Sequence, residues 1–405
     1  MVGMRRIICL FLIVIMSTCI VYAQKKVISQ ARDFIKKGKN LQQAEEMMTN
    51  LLKDSANKTN DKIWVTLFEA VKKQYEQGNE KLYLKQSYDT AAFFRSAYKM
   101  FEIFGSLDSL SMQPDARGRV KLSYREKNAE FLNTYRPNLY NGGAFFIKKQ
   151  QYEEAYKFFD MYINSATQPL FKVYNYAETD KTMPVAAYWS VYCGYKLKDP
   201  KATLHHTYLA LKDTTHYNLM LQYLAETYKL ENDTLRYIET LHEGFEKYPK
   251  FPFFFPRLVE YYADNSMWED AMRVCKTAMH IDSTDVVYRF ATSNVYLNTG
   301  KYQECIDICD QLIAENDSLA EAYFNAGLGY FNQAIELDKA NKVSNKRRQQ
   351  ILDFYKKALP YLQKYRELLP DRKDKWSLPL YTIYLNLNMG KEFDEIDKLI
   401  REERK

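Results

Sequence analysis

Residues 286–319 read VVYRFATSNVYLNTGKYQECIDICDQLIAENDSL. The preceding 34 residues, PFFFPRLVEYYADNSMWEDAMRVCKTAMHIDSTD (252–285), share their outline, and so do the 34 before those, NLMLQYLAETYKLENDTLRYIETLHEGFEKYPKF (218–251). The three blocks abut without a gap. Each carries Tyr at its eleventh place (Tyr228, Tyr262, Tyr296); the twentieth is Tyr237, Ala271 and Cys305, and the twenty-fourth Leu241, Cys275 and Cys309. Pro249, at place 32 of the first block, stands where a helix must stop, because its ring fixes φ and its nitrogen has no proton to donate. A fixed period of this length marks a repeat architecture, in which one unit cannot bury its apolar face alone and neighbours must stack.

These residues resemble the tetratricopeptide repeat (TPR) family, a 34-residue helix–turn–helix with a small residue near place 8, Tyr at 11, Gly at 15, an aromatic at 17 and Ala at 20. The resemblance implies two antiparallel helices per block. Places 8 (Ala225, Ser293) and 20 lie where those helices cross, so bulk there would push them apart, and places 11, 17 and 24 fill the seam to the next pair. Tyr237 at place 20 departs from the pattern.

The repeat extends both ways. Downstream, Tyr323, Gly327 and Tyr330 take places 4, 8 and 11 of a block beginning at 320, and Tyr355, Ala358, Leu362, Tyr365 and Pro370 match places 17, 20, 24, 27 and 32 once 19 extra residues are allowed. The insertion, near 336–350 and including Lys342, Lys346, Arg347 and Arg348, is expected to lengthen both helices into a projecting hairpin or to form a solvated charged loop. Trp376 to Ile400 reads as one more hairpin, with Arg401–Lys405 as a polar cap. Upstream, 136–169 is a good copy: Tyr140, Gly143, Phe146, Tyr152, Ala155 and Phe159 fall at places 5, 8, 11, 17, 20 and 24. Thr167–Pro184 reads as loop or frayed helix, and Val185–Leu211 as a degenerate pair. Residues 27–135 are helical by period, as in Leu41-Ala44-Met47-Met48-Leu51 and Trp64-Leu67-Phe68-Val71-Tyr75, with a break at Leu107–Arg119. The expected fold is all-α: a right-handed superhelical TPR-type solenoid of about nine or ten helix pairs, elongated and curved. Its expected domains are a leader (1–23), an N-terminal helical region of degenerate repeats (24–135) and the solenoid proper (136–405).

Composition agrees. Of 405 residues only 13 are Gly and 11 Pro, each about half the usual share, which starves a sheet-rich fold of turns. Hydrophobic content of 46% with 27% charge excludes a disordered chain, and a mean hydropathy of −0.49 excludes a multi-span membrane protein. The 34 Tyr suit seams in which a ring packs while its hydroxyl reaches water.

Residues 1–23 read as a secretory signal peptide: Arg5 and Arg6, an apolar run Ile7–Met16, then Val21-Tyr22-Ala23 before a cut ahead of Gln24. The run is short of the roughly 20 apolar residues a membrane span needs. Lipidation at Cys19 is the alternative, against which stands Thr18 where Gly or Ala is usual. Losing Arg5 and Arg6, and no acid, takes the formal net charge from +7 to +5, too small for a nucleic-acid footprint.

No catalytic constellation is present: no Gly-rich phosphate loop, no His-Glu-x-x-His, no Gly-x-Ser-x-Gly. No cofactor or metal is expected. His205 and His206 are adjacent, so on one helix they point about 100° apart and cannot chelate together. Cys305 and Cys309, four apart, occupy repeat core places and read as small hydrophobes, with soft-metal binding or oxidation as the other reading. Glu45-Glu46, Glu153-Glu154 and Glu402-Glu403 read as solvated faces.

The resemblance places binding on the first helices of successive repeats, at places 2, 5, 9 and 12. The candidate residues are Glu226, Phe290, Asn294, Leu297, Phe324, Leu328 and Phe331, an apolar and aromatic wall for another protein or peptide, or, failing that, rings packed within the array. The chaperone-binding subfamily grips a terminal carboxylate with Lys at place 5 and Asn at place 9; here Asn294 matches but Phe290 replaces the Lys. The expected role is a non-enzymatic interaction scaffold in the periplasm or outer envelope of a Gram-negative cell; the alternative is a binding protein for a small ligand or glycan. Intact mass of the exported chain should start at Gln24, with release needing no detergent; a diacylated Cys19 terminus would replace this reading.

Overall fold

The computed structural model describes residues 24–114, 117–120, 122, 125–339 and 344–403. The expected leader 1–23, with Cys19, and residues 340–343 of the insertion, with Lys342, lie outside them. Among the described residues there is no strand. The chain packs as two units, Met1–Asp233 and Thr234–Lys405. The first holds α1 (24–37), α2 (Leu41–Leu52), α3 (Asp61–Tyr83), α4 (Thr90–Ser111), α5 (Arg125–Tyr135), α6 (Pro137–Lys148), α7 (Tyr152–Asn164), α8 (Tyr176–Thr179), α9 (Met183–Leu197), α10 (Pro200–His205), α11 (Thr207–Ala210) and α12 (Tyr217–Leu230). The second holds α13 (Thr234–Lys247), α14 (Phe254–Asp264), α15 (Trp268–Ile281), α16 (Val286–Asn298), α17 (Tyr302–Glu315), α18 (Ala320–Asp338), α19 (Asn345–Leu368), α20 (Lys373–Asn386) and α21 (Gly390–Glu403). The chain is an all-α array of TPR-type helix pairs.

Four reversals inside pairs are made the same way. The fifteenth place has positive φ in the blocks beginning at 136, 218, 252 and 286: Gln150 (57°), Asn232 (58°), Ser266 (56°) and Gly300 (76°); in the block beginning at 320 that place is Ala334, inside the longer α18. The next residue's N–H then donates to the carbonyl of place 11: Gln151 to Phe146 (2.9 Å), Asp233 to Tyr228 (2.9 Å), Met267 to Tyr262 (2.7 Å) and Lys301 to Tyr296 (2.9 Å). This is the left-handed helix stop that satisfies the last carbonyls. Lys198 (55°), 34 residues before Asn232, does the same with Asp199 bonded to Gly194 at 3.0 Å, which puts α9 in the series. Only Gly300 is glycine. The others bear the strain of a Cβ in that region, and the sequence pattern alone does not show them as turn formers. Chain re-entry is set by capping: Asp285 Oδ1 accepts from the N–H groups of Val287 (2.8 Å) and Tyr288 (3.0 Å) to start α16.

The crossing of each pair is set by place 8 against place 24. A Cβ on Gly143 would stand 2.6 Å from the Phe159 ring, and one on Gly327 2.7 Å from Leu362 Cγ. Ser293 lies beside Cys309 at the same crossing of α16 and α17. Ala155, Ala271, Cys305 and Ala358 at place 20 are wholly buried. Close helix approach favours small side chains at both places. Val259 at place 8 and Tyr237 at place 20 depart from this; both are buried, and the Tyr237 ring meets the edge of Tyr261 on α14.

In four places the chain departs from or refines its sequence reading. The break expected from Leu107 begins later, because α4 runs to Ser111: Leu107 is core, and Asp108 accepts two hydrogen bonds from the Arg125 guanidinium (2.8 and 2.9 Å). The connection after Thr167 is ordered into a 3-10 turn, Pro169–Tyr174, and the single turn of α8. Arg136 holds it. The buried guanidinium lies between the rings of Tyr162 (3.8 Å) and Tyr176 (3.9 Å) and donates to Ser165 Oγ, the Tyr162 carbonyl and Asp180. Burial alone would raise the Asp180 pKa, but hydrogen bonds from Tyr162 and Arg136 outweigh it and hold it below the usual value.

The second helix of the degenerate pair is broken into α10 and α11 at His206 (φ −108°, ψ 15°). In the second unit, α18 has 19 residues and α19 has 24, against 14 in α15 and α17. Phe324 meets Tyr365, Gly327 faces Leu362 and Phe331 meets Tyr355, so partners advance along α18 as they retreat along α19 in an antiparallel pair. Lys346 and Arg348 are exposed at the start of α19.

Two substitutions test this account by thermal and urea unfolding. Gly327→Leu should destabilise by about 1–3 kcal/mol through overpacking. Gly300→Ala should cost about 1 kcal/mol, since alanine is strained at positive φ.

Candidate functional site

The candidate site read from the sequence is the solvent side of the first helices. In the second unit these are α14, α16, α18 and α20. On α16, Val287 is exposed, Phe290 and Asn294 are half-buried, and Leu297 is buried among Cys305, Cys309 and Leu312 of α17 and Ala322 and Ala326 of α18. Asn294 is engaged locally, its carbonyl accepting from Asn298 Nδ2 at 2.8 Å. On α18, Phe324 is buried with its ring centroid 4.8 Å from that of Tyr365, and the Lys375 ammonium sits 5.6 Å from the Phe324 ring. Leu328 and Phe331 are half-buried, Phe331 lying 5.8 Å from Tyr355. Of the aromatic wall read from the sequence, Leu297 and Phe324 are therefore core. Phe290, Asn294, Leu328 and Phe331 keep part of their surface in water.

Glu226 belongs to the first unit. Its carboxylate accepts from Tyr195 Oη at 2.6 Å and from Gln222 Nε2 at 3.4 Å, and it lines a cleft of about 380 Å³. Tyr195, Lys196, Lys198, Pro200, Thr203, Thr227 and Leu230 complete the wall. The cleft forms because α9 stops in the left-handed turn at Lys198 and Asp199 caps α10, accepting from Ala202 N–H at 3.1 Å. Behind it the Tyr195 ring stacks on Tyr223 (4.5 Å), whose hydroxyl pKa is pushed up by burial and by its hydrogen bond with Tyr188. Two lysines, one hydrogen-bonded carboxylate and an aromatic and aliphatic floor suit a segment of mixed polarity. Tyr195, Lys196 and Lys198 were not legible as site residues, because their repeat is degenerate.

A second cleft of about 380 Å³ lies in the second unit, lined by His242, Phe245, Glu246, Tyr262, Asp270, Arg273, Val274, Thr277 and Ile281. His242 Nε2 and Tyr262 Oη are 2.7 Å apart. Burial holds the His242 pKa below its ordinary value, with Arg273 adding to the effect and Asp270 opposing it. The ring is therefore neutral near pH 7. The sequence reads Tyr262, at place 11, as a seam residue; its hydroxyl pairing with His242 carries no motif.

A third opening, of about 890 Å³ in the first unit, lies between α5 and the Pro169–Tyr174 turn; Val173 on its rim is 80% exposed. Among the described residues one grouping has ligand atoms close enough for a metal ion, Asp160, His205 and His206, and none of the three lines these clefts. No described helix is long and apolar enough to cross a membrane.

No protein-family model matches the chain. Over 92 residues, 23% of its length, it is 34% identical to Hsp70-Hsp90 organizing protein 2 of Arabidopsis thaliana, of which the match spans 16%. Among solved structures it is similar to the C-terminal part of a TPR repeat-containing protein from Cytophaga hutchinsonii (TM-score 0.45, 12% identity, 64% of this chain and 93% of that one). It is also similar to a TPR repeats protein from Bacteroides fragilis (TM-score 0.30, 18% identity, 65% of this chain and 98% of that one). What makes the array TPR-like is in the chain itself: the shared turn at place 15 and the shared crossing at places 8 and 24.

The His242 pair has a pH consequence. A histidine whose folded pKa is depressed adds stability that is present above its unfolded value, about 6.5, and is lost as pH falls through the folded one. The melting temperature should therefore fall between pH 7 and pH 5, and His242→Gln should flatten that fall.

Proposed function

We propose that this chain is an exported, non-enzymatic interaction scaffold that holds segments of a partner protein on the first-helix faces of its repeats. One surface is the half-buried stretch Phe290, Asn294, Leu328 and Phe331; the other is the cleft at Glu226. The observation that carries the reading is the repeated crossing and turn, which spends the apolar residues of each pair on its neighbours and leaves open clefts of mixed polarity. The named role of the Arabidopsis relative, organising two other proteins, supports it over the matched 92 residues. Recognition of a terminal carboxylate is not part of the proposal, because Phe290 stands where that chemistry needs a lysine.

Export follows from the leader read over 1–23, with cleavage ahead of Gln24. The periplasm or the outer envelope, with Cys19 lipidation as the alternative, is the expected compartment.

The test is capture by a photo-crosslinking residue placed at Lys198 or Phe290 of the full mature chain, followed by mass spectrometry. One discrete partner should crosslink, and Glu226→Arg should abolish the crosslink at 198 while leaving the melting temperature within about 2 °C. Recovery of only the chain itself would sink the scaffold. A saturable thermal shift with sugars, and none with the partner, would install the glycan-binding alternative.

A further inference from the structure

Adjacent histidines on an unbroken helix diverge, but the helix is broken between α10 and α11, and the two rings do not diverge here. His206 leaves helical geometry at φ −108° and ψ 15°. As a result His205 and His206 bring their ring centroids to 4.3 Å and turn the same atom, Nε2, toward the same oxygen, Asp160 Oδ1 on α7. The distances to that oxygen are 3.7 Å from His205 and 2.7 Å from His206. Ligand atoms of the three residues all lie within 4.8 Å of one another.

We propose that Asp160, His205 and His206 bind one divalent transition-metal ion of the zinc class. Bonds of about 2.0–2.1 Å in a tetrahedral site set neighbouring ligand atoms roughly 3.3 Å apart. The two spacings to Asp160 Oδ1 bracket that value, and the two imidazole nitrogens lie within 4.8 Å of each other, so side-chain adjustment closes the triad on an ion. The donor set selects the metal. Two imidazole nitrogens and one carboxylate suit Zn²⁺, Ni²⁺ or Cu²⁺; Mg²⁺ and Ca²⁺ want oxygen throughout, and soft ions want thiolate.

Burial is graded across the site: the side chain of His206 is 9% exposed, that of Asp160 30% and that of His205 55%. The ion would be gripped from inside and open outward, leaving its fourth position to water or to a side chain of another molecule. A plain His206–Asp160 hydrogen bond accounts for the buried pair. It does not account for an exposed second imidazole aimed at the same oxygen. Bound metal would tie α7 to the interruption between α10 and α11, fixing a second helix that is left in two pieces.

The experiment uses the untagged full mature chain, stripped with chelator and titrated with ZnCl₂ by calorimetry, with Co²⁺ absorption reporting ligand geometry. About one equivalent should bind, raising the melting temperature, and Co²⁺ should give the intense visible bands of a low-coordinate site. His205→Ala, at an exposed position, should melt like the parent without metal yet lose affinity on the order of tenfold or more. His206→Gln should lose it too, while His280→Ala should bind as the parent does. Absence of stoichiometric zinc binding, or undiminished binding in His205→Ala, would overturn the site.

Discussion

The fold depends on how closely two helices approach where they cross. At that point the chain places Gly143 under Phe159, Ser293 beside Cys309 and Gly327 under Leu362. A methyl group in the wrong place separates the pair. Separation also opens the seam lined by place-11 side chains, where Tyr262 reaches His242 of the neighbouring pair. Local and neighbour packing are therefore one constraint, and dispersion and apolar burial add up along the array only while it is met.

The reversal between helices is the complementary constraint. Its hydrogen bond reaches back to the carbonyl of place 11, so the residue that fills the seam also anchors the turn. Chemistry at place 15 is loose because the geometry is imposed from both sides: Gln150, Lys198, Asn232 and Ser266 accept a conformation that glycine adopts freely. This is why the period is plain from Tyr228, Tyr262 and Tyr296 while the pair starting at α9 reads only as a degenerate copy. The seam residues carry the pattern, and the turn residue is overruled by its context.

Legibility of the site follows the same division. The faces of α16 and α18 could be written down from place numbers, but not which rings would turn inward: Phe324, at place 5, packs on Tyr365, at place 27 of the same block, and a list of places does not show that encounter. The cleft at Glu226 needs the left-handed stop at Lys198 followed at once by the Asp199 cap. The meeting of His205 and His206 needs a helix that ends mid-repeat. Arg136 is a further case. Its place at the start of a good repeat is visible in the sequence, yet its role in ordering Pro169–Asp180 comes from two tyrosine faces and a carboxylate that approach from later in the chain.

The four described cysteines, all free and wholly buried, sit within this packing. Burial pushes the Cys193 thiol up to about 12 and the Cys275 thiol up to about 11, so neither is a nucleophile while its helices are closed. Oxidants and alkylating reagents meet these sulfurs only when a pair opens. Cys193 lies in the first unit and Cys275 in the second, so the modification rate of each thiol becomes a clock for the opening of its own part of the chain.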